Sequence, residues 1–310
     1  MASPSNPWSP CNGHGRDGRP PLHIIYSATN KRKDQNTQPQ MENHEHSNES
    51  SNHFCFSRDE IGNLSKICIM ERLVVMNKIE REIYCCRSTT TTSHELIVDP
   101  NWRASIVKWS YNVVDYFDLS REVVALSMLL FDRFFATKMC IPSSDLVLLT
   151  SIATLHIAIK IRESAIIKLS TLSWFGRGRF SESRIAAQEF LVLMNCEWLV
   201  NPPTAVAFVM HILLLLPDNL NLDFKREILD ASRFMAELSV ADSFFISKRS
   251  SVIGLAAISI SLDQCRIKLP LIESNNYLKG VASAIGVSHN DAEILAAKRR
   301  LHLLSLANVD

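Results

Sequence analysis

The scarcity of glycine after residue 56 limits the fold of this 310-residue sequence more than any other feature. Only six of the nine glycines and six of the twelve prolines lie in residues 57–310. An all-β sandwich or a nucleotide-binding α/β fold needs more turn residues than this. The share of hydrophobic residues, 46%, is that of an ordinary folded protein. We therefore expect an all-α body.

The first 56 residues differ in composition from the rest of the chain. They are rich in Pro, Ser, Asn, Gln and His and have no periodic apolar pattern, which predicts a disordered N-terminal tail. The first ten residues have no charged segment followed by an apolar one, so we expect no secretory signal. The eight cysteines form no CxxC pair and no zinc spacing. We expect reduced thiols, no metal and no cofactor, in an intracellular protein of the nucleus, the cytoplasm or both.

The pattern after residue 56 is helical. Apolar residues recur every three or four positions between Ile61 and Ile83, which predicts an N-terminal amphipathic helix. Asp99 followed by Pro100 predicts a helix start, because the carboxylate caps the first turn and proline fits its first position. Five helical segments are predicted from there to residue 200, namely 102–117, 120–137, 143–163, 164–172 and 181–199.

A proline pair, Pro202-Pro203, divides the helical body, because neither proline can continue a helix. The predicted helices beyond it are 204–216, 223–238, 250–264, 271–284 and 291–306. We therefore predict two tandem five-helix bundles. The N-terminal helix and the first bundle would occupy residues 57–200, and the second bundle residues 201–310. The apolar runs 146–161 and 204–217 are too short or too polar to span a membrane, so we expect core helices and no membrane contact.

Four charged residues, Arg103, Asp132, Lys160 and Glu189, interrupt apolar helices of the first bundle. Such side chains are almost never fully buried unless they are paired. From the chemistry alone, either all four point to water or they find partners of opposite charge. The first alternative places the four charges on the protein surface, and the second allows them to be buried as ion pairs.

The order and spacing of five short segments resemble the cyclin box of cell-cycle cyclins, nearest in pattern to the A and B types. The segments are WRASIVKW, FDRFF, IAIKIRE, AAQEFLVLMNCEW and NPPT. Arg103 precedes Asp132 by 29 residues, and Lys160 precedes Glu189 by 29 residues. Segments 234–239 and 251–257 are similar to the C-terminal cyclin repeat. The resemblance therefore extends over residues 71–305.

This resemblance implies a role for each of the four charged residues. In cyclins, the arginine and aspartate that match Arg103 and Asp132 form a buried ion pair between the first two helices of the box. The lysine and glutamate that match Lys160 and Glu189 hydrogen-bond to the kinase main chain beside its mobile regulatory helix. The flanking apolar side chains that would receive that helix are Ile157, Ile161 and Leu193.

A groove for substrate motifs of the Arg-x-Leu kind is a further implied feature. The positions that would line it hold Trp102, Ser105, Ile106 and Trp109. An acid that would meet the arginine of the motif is replaced by Asn112, and a glutamine of the third helix is replaced by Leu148. An altered groove and a purely structural tryptophan therefore stand as alternatives to conventional docking.

The resemblance implies a regulatory subunit that binds and activates a cyclin-dependent serine/threonine protein kinase in cell-cycle control. Kinase substrates and inhibitors are further candidate partners. The alternative is a cyclin-fold adaptor of the transcription machinery, but the net charge of +1 and the missing zinc spacing disfavour nucleic-acid binding. We expect no catalytic residue, because His156 and His211 lie in apolar helices where a bond to a backbone carbonyl is the usual arrangement.

Overall fold

The computed structural model describes residues 66–84, 98–137, 142–164, 167–218, 220–264, 271–288 and 291–307. These residues form eleven α-helices and one short 3-10 helix (Ser243–Phe245), with no strand among them. The α-helices are α1 (Lys66–Glu82), α2 (Pro100–Tyr116), α3 (Glu122–Ala136), α4 (Ser144–Arg162), α5 (Leu169–Phe175), α6 (Glu182–Asn195), α7 (Ala205–Leu213), α8 (Leu222–Ala241), α9 (Ser250–Gln264), α10 (Leu271–Ala284) and α11 (Ala292–Ala307).

Side-chain caps fix the start of several helices. The Asp99 carboxylate accepts a hydrogen bond of 2.7 Å from the main-chain N–H of Asn101, and Pro100 occupies the first helical position of α2. The hydroxyls of Ser143, Ser181 and Thr204 cap α4, α6 and α7 in the same way. The local sequence therefore sets these boundaries independently of the packing.

The first bundle is built around α4. Every residue from 147 to 159 is buried, so this helix is enclosed on all sides. It packs against α3 on one side and α6 on another, and α2 and α5 complete the bundle. Among the described helices, α4 is long and apolar enough to cross a membrane by length and composition, but 72% of its apolar stretch lies buried in the fold. Its place here is that of a core helix.

The second bundle repeats this plan around α9. Residues 250–262 are all buried, and α9 packs against α7, α8 and α11. The two bundles have separate apolar cores, one gathered around each central helix. The prediction of an all-α fold with two five-helix bundles is confirmed. The predicted fourth segment, 164–172, is a shorter helix that begins at Leu169, and the predicted disordered tail of residues 1–56 lies outside the described residues.

Helix α1 precedes the first bundle in sequence but packs on the second. Leu73 is fully enclosed in the second core, and the helix contacts α7 and α10. The Glu80 carboxylate accepts a hydrogen bond of 3.1 Å from the N–H of Ser251, in the first turn of α9. The predicted domain of residues 57–200 grouped α1 with the first bundle, because α1 precedes that bundle in the sequence. In the structure, α1 packs instead on the second bundle, which lies beyond residue 201. The amphipathic pattern located the helix but carried no information about its neighbour.

Polar contacts across the seam join the two bundles. The hydroxyl of Thr204 donates to the carboxylate of Glu122 at the start of α3. The phenol of Tyr111 on α2 donates to the carbonyl of Glu237 on α8 at 3.3 Å. Arg121 forms an ion pair of 2.8 Å with the carboxylate of Glu237. These contacts place α2 and α3 of the first bundle directly against α8 of the second.

Candidate functional site

Arg103 and Asp132 form a two-bonded ion pair between α2 and α3. The Nε and Nη2 atoms of Arg103 donate to the two carboxylate oxygens of Asp132 at 3.1 and 2.7 Å. The arginine is only 4% exposed, and the aspartate side chain is 17% exposed. The flat guanidinium matches both oxygens at once, which makes this one of the strongest ion-pair geometries in proteins.

The same arginine also reaches the second bundle. Its Nη1 donates to the carbonyl oxygen of Val240, near the end of α8. The last carbonyls of a helix have no partner within it, so Arg103 satisfies one of them from another bundle. The sequence suggested a brace between the first two helices of the box, and it gave no sign of this third contact.

Lys160 and Glu189 are brought together where α4 and α6 meet. The Nζ atom of Lys160 donates to Oε1 of Glu189 at 2.9 Å. The lysine side chain is 48% exposed, whereas the glutamate side chain is only 10% exposed. Among the described residues, no hydrogen bond is made to Oε2 of Glu189. The pair therefore offers exposed lysine N–H groups and one open carboxylate oxygen at the same place.

His156 is a member of this cluster that the sequence did not identify. Its Nδ1 lies 2.5 Å from Oε1 of Glu189, and its Nε2 lies 3.0 Å from the carbonyl oxygen of Ile167. The expected bond to a backbone carbonyl is confirmed, but the carboxylate contact is additional. Burial raises the pKa of the Glu189 carboxyl, and the hydrogen bonds and charges of His156 and Lys160 outweigh burial and leave the pKa below its ordinary value. Glu189 is therefore an anion at neutral pH.

The apolar side chains around this pair are placed differently from the expectation. Ile157 is 3% exposed and lies in the first core, so it offers no surface to a partner. A helix that is apolar on all sides has no periodicity from which an outward face could be read, and this is why the sequence misassigned it. Ile161 and Leu193 are partly buried and pack on that core.

The exposed apolar surface beside Glu189 belongs mainly to α6 and the turn after it. Phe190 is 56% exposed, Met194 is 52% exposed and Trp198 is 60% exposed. Glu197 and Trp198 both have left-handed backbone angles, with φ of 53° and 61°. This backbone conformation is unfavourable for residues other than glycine and tends to occur at functional sites. Here it holds a large aromatic ring in solvent at the end of α6.

The residues expected to form a docking groove do not share one open surface. Trp102, Ser105 and Trp109 are partly exposed, but Ile106 is completely buried in the first core. The Ser105 hydroxyl donates to the carbonyl of Asn101, within the same helix. Ile106 is therefore a core residue, and its assignment to the groove lining is wrong. Residues that recur every three or four positions along a helix include both fully buried and half-buried side chains. Their spacing alone does not show which of them are fully buried.

The described residues contain no group of three or more His, Cys, Asp or Glu side chains that could hold a metal ion. His211 donates from Nδ1 to the carbonyl of Ala207 at 2.7 Å, as expected of a core histidine. Cys68 is exposed and Cys196 is buried in the first core, and the other six cysteines lie outside the described residues.

Comparison with known proteins gives consistent matches. The family described as "Cyclin, N-terminal domain" matches residues 73–201. G1/S-specific cyclin-E1 of Gallus gallus is 28% identical over 133 residues, which cover 43% of this chain and 32% of that protein. G2/mitotic-specific cyclin-B of Hydra vulgaris is 24% identical over 237 residues, which cover 75% of this chain and 59% of that protein. The chain therefore spans only part of the length of these relatives. A viral cyclin from herpesvirus saimiri has a similar fold, with a TM-score of 0.58 at 15% identity over 77% of this chain and 100% of that chain.

Proposed function

Because this chain is a divergent member of the cyclin family, we propose that it is a regulatory subunit that binds and activates a cyclin-dependent serine/threonine protein kinase. One observation carries the proposal: the half-exposed Lys160 contacts Glu189, whose Oε2 has no hydrogen-bond partner among the described residues, and exposed apolar side chains follow Glu189 along α6. We further propose a role in cell-cycle control, in the nucleus, the cytoplasm or both. The names of the relatives, G1/S-specific and G2/mitotic-specific cyclins, support that role.

The chemistry of this surface suits the main chain of a partner helix. The lysine supplies N–H donors, and the open Oε2 of the glutamate supplies an acceptor, so the two fix the register of a bound segment. Phe190, Met194 and Trp198 supply apolar contact area beside them. Protein interfaces commonly combine an apolar, aromatic centre with a few directed polar contacts.

In this proposal the chain performs no chemistry of its own. The first bundle binds the regulatory helix of the kinase and holds the catalytic Lys–Glu pair of the kinase in its active position, which phosphoryl transfer requires. A cyclin that binds the active conformation more tightly than the inactive one shifts the kinase toward activity by that difference in affinity. The second bundle supports the first through the seam contacts of Arg103 and Arg121.

The test compares the wild type with a Lys160→Ala/Glu189→Ala variant against a panel of purified cyclin-dependent kinases. Removal of both charge-assisted contacts is expected to weaken binding about 100-fold, since each contributes about 1.5–3 kcal/mol and two such losses are not fully additive. The matched control is Asp223→Ala/Arg226→Ala, which removes an exposed 3.4 Å ion pair on the second bundle. The control is expected to bind as the wild type does. Equal recovery of kinase by both variants would rule out the proposed surface.

An activity assay separates the regulatory role from that of a non-activating adaptor. The kinase that binds the wild type is assayed for phosphorylation of a histone or peptide substrate with and without the chain. Stimulation that is lost in Lys160→Ala/Glu189→Ala supports the proposal. Binding to every kinase in the panel without stimulation of any would support the adaptor alternative.

A further inference from the structure

His156 lies one helical turn before Lys160 on α4 and is only 6% exposed. Its two ring nitrogens contact two different acceptors. One is Oε1 of Glu189, the same oxygen that Lys160 contacts, and the other is the carbonyl oxygen of Ile167. The ring therefore connects the buried side of the Lys160–Glu189 cluster to the chain segment that follows α4.

The identity of the two acceptors determines where the hydrogens of the ring lie. A carbonyl oxygen can only accept, so Nε2 of His156 carries a hydrogen. The Oε1 atom of Glu189 already accepts from Lys160 and belongs to an ionised carboxylate, so Nδ1 must carry a hydrogen as well. An imidazole with both nitrogens protonated is a cation. The charged groups that face it are Glu189 on α6 and Lys160 on its own helix, while Ile167 presents only its carbonyl.

We propose that His156 is a positioning residue for Glu189: it holds Oε1 from the buried side and leaves Oε2 directed to the partner. The inference rests on the proposed function of the Lys160–Glu189 surface and adds a buried residue that positions its carboxylate. A neutral ring has one hydrogen for two acceptors. Such a ring could donate to only one of the two acceptors, the Ile167 carbonyl or the Glu189 carboxylate, and the other would face a nitrogen lone pair at hydrogen-bond distance.

The first experiment uses the free chain and needs no kinase. Histidine is labelled with nitrogen-15, and the ring nitrogens of His156 are assigned by their loss in His156→Asn. Near neutral pH, both nitrogens are expected to show the protonated shift, because each faces an acceptor oxygen. Replacement of the carboxylate in Glu189→Gln is expected to move this ring toward the singly protonated form. A wild-type ring with a single hydrogen at that pH would overturn the inference.

The second experiment uses two substitutions that each keep one half of the ring. Asparagine places its amide nitrogen near the position of Nδ1 and can still donate to Glu189, whereas glutamine places its amide nitrogen near Nε2 and can still donate to Ile167. Against the panel kinase that binds the wild type, His156→Asn is expected to keep the affinity, because its amide still donates to Glu189. His156→Gln is expected to lose about tenfold in affinity, the equivalent of one charge-assisted contact.

The reverse order of these two variants, or equal affinities, would show that the ring serves only to anchor the segment at Ile167, and would overturn the inference. Thermal melting of both variants without kinase checks that a loss of binding is not a loss of folding. If the wild type binds no kinase of the panel, the proposed function fails. In that case the ring-nitrogen measurement on the free chain still decides whether His156 holds Glu189.

Discussion

Removal of Asp132 is expected to destabilise the protein more than any other single substitution of a charged residue in the first bundle. In Asp132→Ala, the guanidinium of Arg103 stays 4% exposed but keeps only the Val240 carbonyl as a partner. Breaking one side of a buried ion pair costs about 3–5 kcal/mol, because the remaining charge is left uncompensated. The 17% exposure of the aspartate side chain places the loss near the lower end, about 3 kcal/mol.

The assay is thermal unfolding followed by circular dichroism. A loss of about 3 kcal/mol corresponds to a fall in Tm of roughly 6–12 °C for a folded region of this size. The control is Arg226→Ala, which removes an exposed ion pair and is expected to change the stability by less than about 1 kcal/mol. An Arg103→Met/Asp132→Leu double variant is expected to recover part of the loss, since no charge is then buried alone. An Asp132→Ala protein with the Tm of the wild type would refute this reasoning. A double variant with a lower Tm than Asp132→Ala would refute it as well.

Two other pairs of substitutions follow from the packing. Glu80→Ala is expected to lose about 1 kcal/mol with the cap on Ser251, whereas Glu80→Gln keeps an acceptor oxygen there and is expected to be at least as stable as the wild type at pH 7. Burial raises the pKa of Glu80 above its ordinary value of 4.5, so the folded state binds the proton more tightly than the unfolded state does. The stability of the wild type relative to Glu80→Gln should therefore fall as pH rises from 4.5 through that raised pKa. Urea titrations at a series of pH values measure this difference. Gly254→Ala is expected to lower Tm, because the added Cβ would lie 2.9 Å from Cβ of Phe208, where α9 packs against α7. Gly280→Ala, on α10 with nothing within 4 Å of the added Cβ, is expected to gain about 0.5–1 kcal/mol in the same melt.

The helices and the tandem plan were predictable because local chemistry specifies them. Asp99 and Thr204 are helix-capping residues, and the structure shows both caps. The proline pair ends the first bundle where the sequence placed the break. A cap or a proline acts through its own neighbours, so its effect is visible in a few consecutive residues.

The contacts between elements were less predictable. The docking of α1 on the second bundle, with Leu73 in that core, depends on shape complementarity between residues far apart in sequence. The burial of Ile157 could not be separated from that of other apolar residues of α4, because the helix is enclosed on all sides. His156 looked like any core histidine, and only the approach of α6 gives it a carboxylate partner. The available signal in the sequence was a polar residue within an apolar helix. This signal marked the position of His156 but not its contact with Glu189.

The contact from Arg103 to the carbonyl of Val240 has a consequence for insertions and deletions. The acceptor is a main-chain oxygen, so any residue at position 240 can supply it, and side-chain substitutions there leave the bond intact. A single residue added to or removed from α8 would instead rotate the carbonyls beyond it by about 100° and move the acceptor away from the arginine. The end of this helix is therefore tolerant of changes in residue type and intolerant of changes in length.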